Sequence, residues 1–224
     1  MLKTPIIISL GGSLVIPGEI DVKFLTEFKK LILKHVALGE TFILIVGGGV
    51  TARKYITALK SLSKTSNDDL DWMGIEATRL NAKLVQISFG KKAHTEIVTD
   101  PNKKLNFNES ILISGGWKPG RSTDDCAVRL AKTYGAKVII NLSNIDYVYD
   151  KDPKKYKDAK KIESISWKDF RKITGNKWVP GKNLPFDPTA AKTAQENKVK
   201  VIIANFKNLN NILNGRPFKG TVVQ

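Results

Sequence analysis

Three short apolar runs in this chain each end in a cluster of glycines, and this feature restricts the possible folds more than any other. In chain order, the runs and their glycines are Ile6–Leu10 with Gly11 and Gly12, Phe42–Val46 with Gly47, Gly48 and Gly49, and Ile111–Ile113 with Gly115 and Gly116. Continuous apolar runs of this length are typical of strands buried in a parallel sheet. A glycine turn after a strand lets backbone N–H groups approach an anion, and the following helix N-terminus adds a favourable dipole. The sequence therefore predicts a sheet with several phosphate-binding turns.

Strand-like runs and amphipathic helical stretches alternate along all 224 residues. No Pro/Ser-rich linker, internal repeat or low-complexity tract divides the chain, and a hydrophobic content of 42% suits one sizeable core. The pattern predicts an α/β fold, a three-layer αβα sandwich with a mainly parallel central sheet, formed by a single domain of residues 1–224. Such sheets bind ligands at the carboxyl ends of their strands, where the glycine clusters lie.

Several segments carry more specific expectations. Residues 14–18 are expected to form a loop, Glu96–Val98 a weak strand, and Thr221–Val223 a strand at a sheet edge. Tyr147–Lys161 is a lysine-rich region with the turn signal Asp152-Pro153, which is typical of a hairpin. In the helix expected after the polar segment 63–69, the residues spaced for burial are Met73, Ala77, Leu80 and Leu84.

Composition restricts the partners of the protein. The formal charge of +16, from 37 Lys and Arg against 21 Asp and Glu, favours polyanions. No RNA-binding motif with interleaved aromatics accompanies the lysines, so nucleotides are the preferred partners and no dedicated nucleic-acid role is expected. No apolar run reaches the roughly 18 residues of a membrane span, and no signal peptide is recognised. Cys126 is the only cysteine, which excludes an intrachain disulfide and fits a cytoplasmic protein.

Two familiar nucleotide-binding patterns fail on their context. Gly47–Ala52 fits the dinucleotide fingerprint G-x-G-x-x-A, but no apolar strand ending in an acidic residue follows at the expected spacing. Gly115–Ser122 departs from a P-loop at Arg121, where that motif requires a lysine that reaches the β- and γ-phosphates. The glycine turns are therefore interpreted as phosphate-binding turns of another fold.

The order and detail of the motifs resemble the amino-acid-kinase superfamily, especially the archaeal-type branch of its UMP kinases. The resemblance covers nearly the whole chain. Its most specific pieces are Val46–Gly49 with Ala52–Ile56, Asp71–Ile75 with Thr78–Ala82, Gly115–Gly116 with Pro119–Gly120 and Ser122–Asp124, Ser143–Asp146 with Val148–Tyr149 and Asp152–Pro153, and Asp187–Pro188 with Ala190–Lys192. It implies transfer of the γ-phosphoryl group of ATP to UMP by a homo-oligomer, a hexamer.

Carried over to this chain, the resemblance implies a UMP site mainly in the N-terminal part and an ATP site mainly in the C-terminal part. The implied ATP-binding residues are Gly12, Ser13, Gly49, Arg53, Ser143, Tyr149 and Asp152. The implied UMP-binding residues are Gly48, Asp71, Trp117, Lys118, Pro119, Gly120, Arg121, Ser122 and Thr123. Asp71 would bond the ribose hydroxyls. Mg²⁺ is expected as a cofactor through the ATP phosphates, without a metal site built by the protein alone.

Catalysis needs no general base, because a nucleoside monophosphate has a second phosphate pKa of about 6 and its attacking oxygens are largely deprotonated at neutral pH. The reaction does need positive charge at the moving phosphoryl group. Many superfamily members have a first-strand lysine where this chain has Ser9. We hypothesise that Lys192 supplies this charge and that Asp187 orients it, because their spacing puts both near one predicted helix start.

Three other functions remain open from the sequence. A kinase of the same fold could act on acetylglutamate, carbamate, aspartate or an isoprenoid phosphate, although Asp71 and the loop 117–123 favour a nucleotide. The absence of the first-strand lysine leaves open a non-catalytic protein that binds or stores anions. The high positive charge leaves open RNA binding, which would show a steep salt dependence without phosphoryl transfer.

Overall fold

A computed structural model describes residues 4–175 and 184–224 of the chain. The strands are β1 (Ile6–Leu10), β2 (Phe42–Val46), β3 (Ala93–Val98), β4 (Ile111–Ser114), β5 (Val138–Ser143), β6 (Val148–Tyr149), β7 (Lys161–Ile162), β8 (Ser164–Ile165), β9 (Lys200–Asn205) and β10 (Thr221–Val223). The helices are α1 (Gly12–Val15), α2 (Val22–Ala37), α3 (Gly49–Leu62), α4 (Asn67–Phe89), α5 (Thr123–Tyr134), α6 (Trp167–Thr174), α7 (Pro188–Glu196) and α8 (Leu209–Leu213). Within the described ranges, no helix combines the length and apolar character needed to cross a bilayer.

The central sheet has the strand order β3-β4-β2-β1-β5-β9-β10-β8. Neighbouring strands run parallel except at the antiparallel pair β9–β10. Strands β6 and β7 form a separate antiparallel pair at the two ends of the lysine-rich segment Tyr147–Lys161, and the pair extends to Ile162. The mainly parallel sheet and the hairpin expected from the sequence are both confirmed.

The two faces of the sheet carry separate hydrophobic cores, because successive side chains of a strand point to opposite sides. On β1, Ile7 belongs to the core that α5, α6 and α7 cover, whereas Ile8 belongs to the core that α2 and α4 cover. Both side chains are fully buried. This arrangement explains why β1 and β2 are continuously apolar, and it confirms the three layers expected from the sequence.

The segment after the first glycine turn differs from its expectation. Residues 14–18 were expected as a loop, but Gly12–Val15 forms the short helix α1. The backbone N–H groups of Leu14 and Ile16 donate to the carbonyl oxygens of Gly11 and Gly12, each at 2.8 Å. These bonds turn the chain immediately after β1, and they bring it back toward the second glycine turn.

Two strands also differ from expectation. Strand β3 begins at Ala93, so it is longer than the predicted Glu96–Val98. Thr221–Val223 was expected at a sheet edge, but it lies between β9 and β8. Strand β8, which the sequence did not reveal, has only two residues, too few for a recognisable alternation.

The buried face of α4 is partly different from the predicted one. Leu80 is 63% exposed and Leu84 is 36% exposed, so the expectation that both are buried is wrong. The positions that face the core include Ala82, Val85 and Phe89 instead. Both sets have helical spacing, because α4 carries apolar residues on two faces, and spacing alone does not decide which face meets the sheet.

Candidate active site

The glycine turns lie side by side at one edge of the sheet. Strand register pairs Leu10 at the end of β1 with Val46 of β2 and with Leu142 of β5. Ile45 of β2 pairs with Ser114 at the end of β4. Because these strands are parallel, the turns that follow them share one edge. This edge is called the glycine rim below, and it consists of Gly11–Gly12, Gly47–Gly49 and Gly115–Gly116.

The first two turns of the glycine rim pack backbone to backbone. A Cβ atom on Gly12 would lie 2.8 Å from the carbonyl carbon of Gly47 and would overlap the backbone nitrogen of Gly49. A Cβ atom on Gly49, which has a φ of 60°, would overlap the carbonyl oxygen of Gly12. Only glycine permits this approach at both positions. The main-chain amides of the two turns are therefore concentrated at one point of the rim.

Helix α4 connects the second turn to the third. The Asn81 side chain is 2% exposed, and its amide nitrogen donates to the carbonyl oxygens of Gly47 at 2.9 Å and Gly48 at 3.1 Å. The Thr78 hydroxyl oxygen accepts a hydrogen bond of 2.6 Å from the Gly116 N–H. A buried polar group left without such a partner costs about 1–3 kcal/mol. These bonds therefore fix the spacing of the two turns.

Arg79 extends this connection beyond the third turn. Its Nε donates to the Gly116 carbonyl oxygen at 3.3 Å, and its Nη2 donates to the Trp117 carbonyl oxygen at 3.2 Å. Its Nη1 pairs with Glu76 at 2.7 Å. The segment Thr78–Ala82 contributed to the family resemblance, but sequence analysis gave no role to Thr78, Arg79 or Asn81. Their polar character within an otherwise amphipathic helix was the available signal.

The loop predicted to hold UMP, residues 117–123, is attached to α4 near the start of that helix. Gly120 has a φ of 73°, and its N–H donates to the Asp71 carboxylate at 2.7 Å. Asp71 and this loop were predicted separately as parts of the UMP site, and the structure brings them together. Because α4 also holds the second and third turns, the loop and the glycine rim share one rigid support.

Cationic side chains accompany this loop. The Lys118 Nζ lies 4.3 Å from the centroid of the Trp117 ring, and the guanidinium carbon of Arg129 lies 4.9 Å from the same centroid. Both distances are within the range of cation–π attraction. Pro119 follows Lys118 and is half-buried. The Trp117 ring is thus occupied by two cations in this structure.

The end of the loop starts helix α5. The Ser122 hydroxyl accepts a hydrogen bond of 3.2 Å from the Asp125 N–H, and Thr123 is the first helical residue. The Arg121 guanidinium lies 3.8 Å from the Asp125 carboxylate, which is fully buried. Residues predicted to face the UMP phosphate therefore stand at a helix N-terminus, where an anion is favoured.

An acidic pair, Asp124 and Asp187, lies beside Ser9 of β1. The Asp187 N–H donates to the Asp124 carboxylate at 3.0 Å, and the buried Ser9 hydroxyl also bonds that carboxylate. Desolvation raises the pKa of Asp124 to about 7, and the negative charge of Asp187 acts in the same direction. Sequence analysis did not name Asp124 as a site residue, although it lies in the quoted motif Ser122–Asp124. Within the described part of the chain, no three His, Cys, Asp or Glu side chains form a metal cluster.

Asp187 caps helix α7, as its sequence context indicates. Its carboxylate accepts hydrogen bonds from the N–H groups of Thr189 at 2.6 Å and Ala190 at 3.3 Å. Lys192 is 63% exposed, and its ammonium group lies 4.0 Å from the Glu196 carboxylate. Asp187 thus contacts the helix amides, while Lys192 contacts Glu196.

The residues implied for the ATP phosphates lie at the starts of two helices. Gly12 and Ser13 begin α1, and Gly49 begins α3. Arg53 follows one helical turn later in α3 with an exposed side chain, and it forms no ion pair with any residue that the structure describes. A cation in this state is available to a bound anion.

The residues implied for the adenosine side lie further along the chain. Ser143 is the last residue of β5 and pairs in register with Asn205 of β9. Tyr149 pairs with Lys161 in the β6–β7 hairpin. The Asp152 carboxylate accepts a hydrogen bond of 2.9 Å from the Lys154 N–H and so shapes the hairpin turn. Ser143 therefore reaches the sheet edge that carries the glycine rim, whereas Tyr149 and Asp152 belong to the hairpin.

Comparison with known proteins identifies the relatives of this chain. The model of the amino acid kinase family matches residues 4–205. The uridylate kinase of Thermoplasma volcanium is 37% identical over 230 aligned positions, which cover 100% of this chain and 99% of that protein. The crystal structure of uridylate kinase from Archaeoglobus fulgidus superposes with a TM-score of 0.83 at 34% identity, over 98% of this chain and 100% of that one. The UMP kinase structure from Bacillus anthracis has the same fold, with a TM-score of 0.78 at 21% identity over 99% and 96% of the two chains.

Proposed function

The chain belongs to the amino acid kinase family, and we propose that it acts there as a UMP kinase, which transfers the γ-phosphoryl group of ATP to UMP and yields UDP and ADP. The observation that carries this proposal is the packing of Gly12 against Gly49, because it unites two phosphate-binding turns at one point. Full-length relatives named uridylate kinases support UMP as the acceptor.

We assign the two nucleotides to different parts of a single domain, residues 1–224. UMP is bound mainly by the N-terminal part, with Asp71 toward the ribose and the loop 117–123 around the nucleotide. The hydrogen bond between Asp71 and Gly120 supports this assignment, because it joins Asp71 directly to the loop. ATP is bound mainly by the C-terminal part, with its phosphates at Gly12 and Gly49 and its adenosine near Ser143 and the β6–β7 hairpin.

The reaction is a direct displacement at phosphorus. A phosphate oxygen of UMP bonds to the γ-phosphorus of ATP, while the bond from that phosphorus to the β–γ bridging oxygen breaks and the electron pair leaves on ADP. UMP already carries most of the required negative charge at neutral pH, so no base has to remove a proton. The protein contributes by aligning the two phosphates and by offsetting their charge.

Charge at the transferring phosphate comes from several weak sources in this proposal. Backbone N–H groups of the glycine rim and the unpaired Arg53 act on the phosphates directly. Mg²⁺ arrives on ATP as part of the substrate. Lys192 supplies a further cation, because its exposed ammonium is held only at 4.0 Å by Glu196 and is free to turn toward a bound phosphate.

Asp124 is a positioning residue in this proposal. It accepts the Asp187 N–H and the Ser9 hydroxyl, so it joins the start of α5 to the start of α7 next to β1. The loop of the acceptor site ends at α5, and α7 carries Lys192. A carboxyl group at this junction therefore fixes the acceptor loop relative to the proposed cation.

The protein is further proposed to assemble as a homo-oligomer, a hexamer by family resemblance. Helix α3 packs mainly on α4 rather than on the sheet, and none of its 14 residues is buried. Together with α4 it exposes a group of large apolar side chains, namely Tyr55, Leu62, Trp72, Leu80, Leu84 and Ile87. Large apolar side chains that a single chain leaves exposed are covered in many oligomers. The reaction belongs to pyrimidine nucleotide synthesis, and the lone buried Cys126 supports a cytoplasmic setting.

A panel of acceptors tests the function. Purified protein is incubated with Mg-ATP and UMP, CMP, acetylglutamate, carbamate, aspartate or an isoprenoid monophosphate, and ADP and the phosphorylated product are both measured. We expect UDP as the main product and little transfer to the acceptors that are not nucleotides. A Gly49→Val variant controls for contaminating kinases, because its side chain would overlap Gly12, and Gly18→Val is the matched control, since no atom lies within 4 Å of a Cβ there.

Three results would contradict the proposal. Transfer to acetylglutamate or another acceptor without transfer to UMP would assign the chain to a different branch of the family. Tight nucleotide binding with no turnover on any acceptor would indicate the non-catalytic anion-binding function. RNA binding without phosphoryl transfer would support the third alternative.

A further inference from the structure

A basic cavity lies at the end of the sheet opposite to the glycine rim. It opens at Val138 and Lys200, the first residues of the parallel strands β5 and β9, whereas the rim follows the last residues of β1, β2 and β4. Trp167 at the start of α6 and Gln195 near the end of α7 complete the walls. The volume of about 620 Å³ is within the range of small-molecule sites. We call this site the basic cavity.

The charge of the basic cavity is of one sign. Its lining includes Lys137, Lys168, Lys198 and Lys200, and no aspartate or glutamate is part of it. None of the four ammonium groups forms an ion pair or hydrogen bond with the residues that the structure describes. Were Gln224 a chain end, its carboxylate would offset only one of these charges. A concave surface lined by charges of one sign focuses the field and attracts a counter-ion.

The cavity is framed by hydrogen bonds to main-chain oxygens, two donated by the backbone and one by the buried Trp167 side chain. The Lys200 N–H donates to the Lys137 carbonyl oxygen at 2.9 Å, and the Trp167 N–H donates to the Gln224 carbonyl oxygen at 3.0 Å. The Trp167 indole N–H donates to the Val199 carbonyl oxygen, also at 3.0 Å. The backbone that carries the lysines is therefore fixed before any ligand arrives, which lowers the entropic cost of binding.

Lys198 occupies an unfavourable backbone conformation. Its φ is 53°, and no other non-glycine residue within the described ranges has a positive φ. Glycine or asparagine adopts this conformation at lower cost, so a lysine here stores strain that the turn between α7 and β9 must offset. This conformation ends helix α7, where the Val199 N–H donates to the Ala194 carbonyl oxygen at 2.9 Å, and it holds the Lys198 backbone at the cavity lining.

The floor of the cavity is apolar. Val138 is 39% exposed although it begins a central strand, and the alkyl stems of the lysines add further apolar surface. A bare inorganic ion would leave this surface uncovered. An anion with an organic body would cover Val138 while its phosphates meet the ammonium groups.

We propose that the basic cavity is a second anion site, separate from the glycine rim, which binds a small molecule with a polyphosphate chain. Several adjacent ammonium groups suit a ligand with several negative charges, because lysine acts as a compact charge without a fixed bonding direction. Both a nucleoside triphosphate and a free polyphosphate have this chemistry. The site lies outside the residues assigned to ATP and UMP, so its occupancy does not depend on the proposed reaction.

Binding of inorganic tripolyphosphate and of UTP to the full-length protein tests the proposal. Amide shifts in ¹⁵N NMR locate each ligand, and titration calorimetry gives the affinity. We expect shifts at Val138, Lys198 and Val199 for both ligands, in addition to any at the glycine rim. If UTP binds more tightly than tripolyphosphate, the nucleoside contacts the apolar floor. If the two affinities are equal, the site recognises the polyphosphate chain alone. Both results support the proposal.

A charge-matched pair of variants separates the cavity from the general positive charge. Lys137→Gln/Lys168→Gln/Lys200→Gln removes three cavity lysines and leaves Lys198 in its strained turn. Lys23→Gln/Lys30→Gln/Lys34→Gln removes three exposed lysines of α2. We expect the first variant to lose about tenfold or more in tripolyphosphate affinity at 50 mM salt and the second to change less than about twofold, because adjacent charges act over roughly one Debye length.

Three outcomes would overturn the proposal. Amide shifts confined to the glycine rim would show that the cavity is empty at relevant concentrations. Equal losses of tripolyphosphate affinity in the two triple variants would show that the overall positive charge, and not the cavity, accounts for binding. A short single-stranded RNA that binds more tightly than both phosphates, with shifts that extend beyond the cavity, would assign this surface to nucleic acid.

Discussion

The main chains of Gly12 and Gly49 are in direct contact, so neither position has room for a side chain. One residue follows β1 and the other follows β2, and the glycine rim therefore behaves as one structure rather than as separate turns. Small changes at this contact are expected to affect both nucleotide sites.

Gly12→Ala is expected to abolish most activity and to lower stability. A methyl group would overlap the Gly49 backbone, which cannot move aside like a side chain, and overpacking of this kind costs about 1–3 kcal/mol. We expect kcat/KM to fall at least about 100-fold, because a misplaced phosphate-binding turn misaligns the reacting groups. Gly18→Ala is the control, since its Cβ would meet no atom within 4 Å. Normal turnover in Gly12→Ala would contradict the proposed role of the contact.

Asp71→Ala is expected to raise the KM for UMP about 10- to 100-fold, while the KM for ATP changes little. The Asp71 carboxylate holds the Gly120 N–H and is proposed to bond the ribose, so its loss affects only the acceptor side. Asp68→Ala removes the same charge from the first turn of α4 and serves as the control. Steady-state kinetics with each substrate varied separately distinguish the two. Equal effects on both KM values would indicate a general structural defect instead.

Asp124→Asn is expected to raise stability at high pH. The pKa of Asp124 is raised to about 7, so between its ordinary value of 3.8 and about 7 the folded state holds a proton that the unfolded state releases. The contribution of this group to the free energy of unfolding is therefore fully present below pH 3.8. It decreases as the pH rises, and above pH 7 the loss reaches about 4 kcal/mol. Urea unfolding at pH 8 should show a more stable variant, with the difference shrinking toward pH 4.

Asp169→Asn is the control for this pH dependence, and its sign is opposite. The bonds from Lys172 and Ser166 lower the pKa of Asp169, so its contribution to stability is present above the ordinary pKa and is lost as the pH falls. Asp169→Asn should therefore be the less stable protein at pH 8. If Asp124→Asn were destabilised at pH 8 as well, the buried carboxyl would not be held in its protonated form.

Lys192→Ala is expected to lower kcat by about tenfold or more, with smaller changes in both KM values. The proposed cation acts on the transferring phosphoryl group, whose charge distribution changes most in the transition state. Lys132→Ala, at an exposed position in the last turn of α5, is the matched control. Turnover near that of the unmodified protein at saturating substrates would remove Lys192 from the mechanism.

Leu80→Glu/Ile87→Glu is expected to reduce the assembly to smaller species. Both side chains are exposed in the single chain, at 63% and 67%, and two buried charges at an oligomer contact are unfavourable. Light scattering after size exclusion measures the mass directly. Val22→Glu, which changes a residue that is 68% exposed on α2, should leave the mass unchanged. A monomer before any substitution would contradict the proposed oligomer.

The glycine rim could be predicted from the sequence because its signals are local. An apolar run followed by Gly11 and Gly12 identifies a strand and its turn within a few residues. The environment of Asp124 is not local, since its carboxylate bonds to Asp187, which is 63 positions away. The pKa of Asp124 depends on its burial and on such distant partners, and the spacing of hydrophobic residues along the sequence does not predict either.

The exposed face of α4 shows a different reason why a sequence-based prediction can be wrong. Leu80 and Leu84 have the spacing of a buried stripe, but the helix has a second apolar stripe that meets the sheet. A pattern of hydrophobic residues predicts that a surface is covered, without specifying whether its own chain covers it. The same pattern that gave the wrong core residues thus points to the proposed contact between subunits.

Helix α4 sets the scale of the whole acceptor site. It is a continuous helix of 23 residues, and its side chains contact three parts of the site in order along the chain. Asp71 contacts the loop, Thr78 and Arg79 contact the third glycine turn, and Asn81 contacts the second. One extra residue inserted between Asp71 and Thr78 would rotate Asp71 by about 100° and shift it by about 1.5 Å relative to the others. Insertions and deletions are therefore far more damaging inside this helix than in the surface connections. An acceptor pocket of different shape has to arise by substitutions on the faces of α4 instead.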